Sequence, residues 1–143
     1  MRSEHDKFYD PHDAQLISDD ELILLDDGNN RPGCTKPYDD NCFTRAVHYK
    51  LDFDTGTVKL LWHYEYYLQP GPNITLEEIK QNDLYVSDGG SIRYLNDRYY
   101  VAFTTVDVGT PFSHWGWVFE VDRDKQMTGY VKIPRKVWDD FPS

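Results

Sequence analysis

One pattern constrains this chain more than any other: a pair of β-hairpins that occurs twice. Residues 14–25 read AQLISDDELILL, two apolar runs around a Ser18-Asp19-Asp20 turn. Residues 45–67 read RAVHYKLDFDTGTVKLLWHYEYY, two strand-like runs around Asp52-Phe53-Asp54-Thr55-Gly56. Runs rich in aliphatic and aromatic residues, bounded by Asp, Asn, Ser and Gly clusters, are strand and turn signals. Gly56 supplies the positive φ that such a turn wants. The pattern returns in residues 91–104 (SIRYLNDRYYVAFT) and 116–133 (GWVFEVDRDKQMTGYVKI). The paired turn positions Ser18 and Asn96 are 78 apart, whereas Asp52 and Asp122 are 70 apart. The difference is an insertion in the first copy, where Cys34 and Cys42 lie.

Four antiparallel strands repeated along a sequence are the signature of propeller blades. The expected fold is therefore all-β: a partial β-propeller domain over residues 1–143, covering two four-stranded blades. One blade-like unit spans 12–67 and the other 89–134, separated by a loop and short helix over 68–88. That helix is residues 75–81, TLEEIKQ, with Thr75 as its cap. A closed propeller needs at least four blades. Remaining blades preceding Met1, or partner protein chains, are expected to cover what two blades leave open.

Charge and hydropathy exclude several classes of partner. The formal net charge is −10 and the isoelectric point about 4.7, so there is no basic surface for nucleic acid or an anionic membrane. No apolar run of roughly 18 residues exists to span a bilayer. The N-terminus, MRSEHDKFYD, has no apolar core of the kind a signal peptide needs. Cys34 and Cys42 read as a disulfide across a loop between strands, as two free thiols, or as metal ligands, although no zinc spacing is present. Asn73-Ile74-Thr75 is a candidate glycosylation site. It points to an extracytoplasmic setting: periplasmic, secretory or lumenal.

The first half carries an ordered set of further motifs. His12-Asp13-Ala14-Gln15-Leu16 begins a strand, and Leu24-Leu25-Asp26-Asp27-Gly28-Asn29-Asn30-Arg31 ends the next. Phe43-Thr44-Arg45, then Tyr49 to Asp52, Thr55-Gly56-Thr57-Val58 and Trp62-His63-Tyr64 follow. In this order the motifs resemble the arylsulfotransferase family from about Asp10 to Tyr66. Asp88-Gly89-Gly90-Ser91 and Val118-Phe119-Glu120-Val121-Asp122 fit the family's last blade in character. The chain departs from the pattern where the family's Asp-Asn-Gly reads Asp26-Asp27-Gly28, and where a Glu before Tyr reads His48. The family's cysteine pair precedes the motif His, so it gives no pairing for Cys34 and Cys42.

The resemblance implies a six-bladed propeller. It also implies sulfuryl transfer from an aryl sulfate to a phenol, with no nucleotide sulfate donor and no cofactor. On this resemblance His12 is the nucleophile that becomes a sulfohistidine. The family's two other active-site His and an Arg lie upstream, and this chain begins eleven residues before His12. Transfer by this chain alone is therefore not expected.

The chemistry suits the residue types. A neutral imidazole is a competent nucleophile near neutral pH, and covalent transfer divides one hard step into two. A planar guanidinium best offsets charge on sulfate oxygens. Arg31 is the candidate, because the ends of an antiparallel hairpin lie side by side. The bland readings are a surface His12, an Arg31 that braces its loop, and an Arg45 that pairs with Asp26 or Asp27. His48, His63 and His114 read as strand residues, and His114-Trp115-Gly116-Trp117 as blade packing or the lining of an aryl pocket. His5, Asp6, His12 and Asp13 form a weak metal pattern, and no metal is expected. The rival function is a non-catalytic propeller fragment that binds or assembles within a larger complex.

Overall fold

The computed structural model describes residues 7–34, 43–65, 89–103 and 115–134. These residues form eight strands in two four-stranded antiparallel sheets. The first sheet orders β1 (Pro11–Leu16), β2 (Glu21–Asp26), β3 (Arg45–Asp52) and β4 (Thr57–Glu65) as a simple meander. The second orders β5 (Ser91–Leu95), β6 (Arg98–Phe103), β7 (Trp115–Val121) and β8 (Met127–Pro134) in the same way. No helix occurs among the described residues. This is the expected pair of four-stranded units, an all-β arrangement consistent with propeller blades. The helix expected at 75–81 lies outside the described residues, together with His5, Asp6, Cys42, Asn73 and His114.

Local chemistry explains the turns. Asp52 Oδ1 accepts the backbone N–H of Asp54 and of Thr55, each at 3.0 Å. Asp122 Oδ1 accepts the N–H of Gln126 at 2.8 Å. Both aspartates close the third turn of their unit by hydrogen bonding to the chain ahead of them, a standard Asx device. Between β5 and β6 the chain reverses in two residues, with Leu95 opposite Arg98. Asn96 and Asp97 have φ of 51° and 60°, the double positive φ of a type I′ hairpin, which short polar side chains tolerate.

Alternation along the strands builds the core. From the first sheet, Ile23, Leu25, Ala46, Trp62 and Tyr64 meet Ile92, Tyr99, Val101, Phe103, Phe119, Val121 and Met127 from the second. Across this contact the rings of Trp62 and Tyr99 stack at 3.7 Å and 8°. His48 sits opposite Ile23 and Trp62 in the ladders and so faces the same way. Its Nδ1 lies 2.7 Å from Tyr99 Oη and its Nε2 2.9 Å from Glu21 Oε2. Burial holds its imidazole below the usual range, with Glu21 opposing. The other face of the first sheet packs Leu24, Val47 and Tyr49 with Leu22, Leu51 and Leu60. β2 is thus covered on both sides.

The two sheets come close together beside Gly90. A Cβ there would lie 2.1 Å from Leu25 Cδ2 and 2.8 Å from the Ala102 carbonyl oxygen, at φ +134°. Only glycine lets the backbone leading into β5 lie this close to β2.

Candidate active site

The ends of the first hairpin meet as the antiparallel ladder requires, with Pro11 opposite Asp26 and His12 opposite Leu25. The register then slips between His12 and Gln15, and Asp13 adopts φ 51°. Such a bulge re-aims the side chains beside it. Asp13 turns to the second sheet, where its Oδ2 accepts the Ile92 N–H at 3.3 Å and an Arg93 N–H. Burial raises the Asp13 pKa, but hydrogen bonds from Ser91, Arg93 and Ile92 together hold it below the usual carboxylate range. Gln15 adds a hydrogen bond to the Ile92 carbonyl at 3.1 Å. The strand that carries His12 is therefore pinned to the neighbouring sheet on both sides of the bulge.

Where β2 ends, Asp26 organises the loop. It is fully buried and accepts four donors. Oδ1 takes the N–H of Tyr9 at 2.8 Å and of Gly28 at 3.1 Å. Oδ2 takes Arg31 Nη2 at 2.9 Å and Arg45 Nε at 2.8 Å. Two cations and two backbone amides offset the desolvation of one buried carboxylate, the condition under which a buried charge is tolerated. The Arg31 guanidinium lies 3.9 Å from the centroid of the Phe43 ring and 5.1 Å from that of Tyr9. Gly28, at φ +77°, leaves no room for a side chain, since a Cβ would sit 2.2 Å from the Phe43 carbonyl oxygen.

His12 and Asp27 form the chemical centre of this end. Their Nε2 and Oδ2 are 3.0 Å apart, with His12 38% exposed and Asp27 fully buried. Asp27 Oδ2 also accepts the Gly89 N–H at 3.2 Å, while its Oδ1 is buried without a partner among the described residues. Burial pushes the Asp27 carboxyl up to about 7; His12 and the Gly89 amide oppose the shift, and Asp10 and Asp26 add to it. A reachable imidazole thus sits on a buried acid that changes charge near neutrality. Ligand atoms of Asp10, His12 and Asp27 lie within 4.8 Å of one another, a geometry that could hold a cation. Asp10 Oδ2 already accepts Asn29 Nδ2 at 2.8 Å.

The structure brings His12 and the Arg31 loop to the same end of the hairpin. Between the two side chains stand adjacent carboxylates: His12 engages Asp27, and Arg31 engages Asp26. Arg31 is 9% exposed, and its Nε–H is buried with no acceptor among the described residues. Arg45 pairs with Asp26, one of the two partners its sequence context offers. Cys34 follows in the same loop, its N–H donating to the Arg31 carbonyl at 2.9 Å. Its expected partner Cys42 and the glycosylation candidate Asn73 are outside the described residues. So are His5 and Asp6 of the weak metal pattern, and Asp13 of that pattern is turned away to Arg93.

The arylsulfotransferase (ASST) family model matches residues 1–130, a span that includes the first sheet and reaches into β8, the last strand of the second. The chain belongs to the arylsulfotransferase family. No curated protein matches it. As an arylsulfotransferase-family chain it has a sulfotransferase-like, group-transferring function in general terms. The end of the β1–β2 hairpin, with an accessible imidazole on a buried acid, is the part of the described structure suited to that chemistry. Asp27 is the partner that sequence alone does not single out, because there it reads as a departure from Asp-Asn-Gly. The signal was present, however: the hairpin geometry that brings the Arg31 loop beside His12 brings Asp27 closer still.

Proposed function

We propose that this chain supplies the nucleophile part of an arylsulfotransferase site. His12 takes a sulfuryl group from an aryl sulfate and passes it, through a sulfohistidine, to a phenol. The observation that carries this reading is the His12–Asp27 pair: a partly exposed imidazole at a bulge, with Nε2 3.0 Å from a buried carboxylate. A nucleophile in close contact with a base or acid is the arrangement that covalent transfer uses. Arg31 contributes fixed positive charge to the same end of the hairpin, where it is braced on Asp26. The reaction needs no cofactor. The remaining propeller blades, or partner protein chains, complete the enclosure. Leu95 and Val131, 60% and 59% exposed on the second sheet, fit such a cover. This reading includes an extracytoplasmic setting, for which the Asn73-Ile74-Thr75 triplet is the support.

The test is transfer from 4-nitrophenyl sulfate to a phenol by the protein with its full set of blades. Replacing His12 by Ala should leave the fold intact and lower transfer by about a thousandfold or more, since the covalent route is closed. Peptide mass analysis of the native protein after donor alone should find one sulfuryl group on the peptide containing His12. Near-native transfer by His12→Ala would refute the assignment.

A further inference from the structure

Asp27 is the buried partner of His12, and the proposed transfer leaves its part in the reaction unassigned. We infer that Asp27 holds His12 through Nε2 and balances its charge while Nδ1, the opposite ring nitrogen, takes the sulfuryl group. This inference rests on the sulfuryl-transfer reading. The geometry behind it is direct. Nε2 faces Asp27 Oδ2 at 3.0 Å, and Nδ1 has no hydrogen bond among the described residues. With its hydrogen on the nitrogen beside the carboxylate, the ring has no lone pair to offer there, so attack falls to the other nitrogen.

The surroundings suit a group that acts by charge. Asp27 is fully buried; among the described residues its Oδ1 has no partner, and its Oδ2 accepts the Gly89 amide and lies against His12. The remaining charged groups that act on it, Asp10 and Asp26, are both acidic. Among the described residues, His12 is therefore the group that brings positive charge to Asp27 when the ring becomes cationic. Asp26, by contrast, is already matched by Arg31 and Arg45.

The step balances. The Nδ1 lone pair forms the N–S bond, and the S–O bond to the aryl oxygen breaks. Its electron pair leaves on the phenolate, which takes a proton from solvent. The ring becomes a sulfoimidazolium, whose positive charge lies against the Asp27 carboxylate through Nε2–H. In the return step the acceptor oxygen attacks sulfur, the N–S pair returns to Nδ1, and the phenolic proton passes to water. An acid that orients an imidazole and stabilises the imidazolium, without itself being protonated in the step, is the established logic of such pairs. Asp27 is accordingly a positioning residue.

The test uses the whole protein labelled with nitrogen-15 in histidine. At pH 8 the resting His12 should carry its hydrogen on Nε2, and in Asp27→Ala this tautomer preference should be lost. With 4-nitrophenyl sulfate as donor, the trapped sulfohistidine should be substituted at Nδ1. Asp27→Ala should lower kcat by about a hundredfold or more, as for orienting acids elsewhere. Asp27→Asn keeps the shape and the contact but not the charge; it should recover part of kcat and lose the dependence on a group titrating near pH 7. Substitution at Nε2, a resting Nδ1–H tautomer, or both variants within about twofold of native would overturn the role of Asp27 while leaving His12 as nucleophile. Failure of the native protein to form any sulfohistidine would overturn the transfer reading and the role of Asp27 together.

Discussion

Replacing Asp26 by Ala should destabilise the protein more than any other single change at this end of the hairpin. The carboxylate is fully buried and accepts Tyr9 N, Gly28 N, Arg31 Nη2 and Arg45 Nε at 2.8 to 3.1 Å. Removing it strands two guanidinium groups, of which Arg45 is 1% and Arg31 9% exposed. Breaking a buried pair by deleting one partner costs about 3–5 kcal/mol, because the other charge stays buried and uncompensated. The two freed backbone amides add to this only where water cannot reach them, so the lower figure is the safer floor. With a urea slope of about 2 kcal/mol/M, a loss of 3–5 kcal/mol moves the midpoint down by roughly 1.5–2.5 M. That is a large share of a stability of about 5–15 kcal/mol. Urea unfolding of the whole protein, followed by tryptophan fluorescence, measures the shift. Asp26→Asn should recover little, since its amide group presents donors to the guanidinium groups. A loss under about 1 kcal/mol for Asp26→Ala would refute the reading of Asp26 as the organiser of the loop.

Three further changes separate packing, titration and covalent constraint. Gly90→Ala places a Cβ 2.1 Å from Leu25 Cδ2 at φ +134°, and thermal unfolding should show a loss of about 1–3 kcal/mol from overpacking and backbone strain. Burial raises the folded pKa of Asp27 from 3.8 to about 7, so between those values the folded state binds the extra proton and stability falls as pH rises. Asp27→Asn should remove that loss, and the stability difference between variant and native should change by at most about 1.4 kcal/mol per pH unit over that window; parallel stability curves from pH 4 to 7 would contradict it. Alkylation of the unfolded, unreduced protein should label neither Cys34 nor Cys42, and reduction should cost about 2–3 kcal/mol for so short a loop.

Period and turn chemistry are local properties, and the sequence carried them in full. Two hairpin pairs, the Asp52 and Asp122 turns, the Asn96-Asp97 reversal and Gly56 all follow from residue-by-residue preferences, so the two four-stranded sheets were legible without coordinates. The ordered motifs from His12 to Tyr64 were likewise enough to mark the family and the imidazole that stands out in it. What sequence leaves open is partnership between side chains, because a strand pattern says which face a residue takes but not how far a bulge turns it. The slip between His12 and Gln15 sends His12 to Asp27 and Asp13 to Arg93, although the two residues are adjacent in the chain. The same limit applies to Asp26 and Asp27. They are identical in type and consecutive, yet one is saturated by Arg31 and Arg45 while the other keeps a bare oxygen and a pKa near 7. Only tertiary structure divides their roles, because desolvation and the placement of cations depend on what the opposite strands and the neighbouring sheet bring within about 3 Å of each carboxylate.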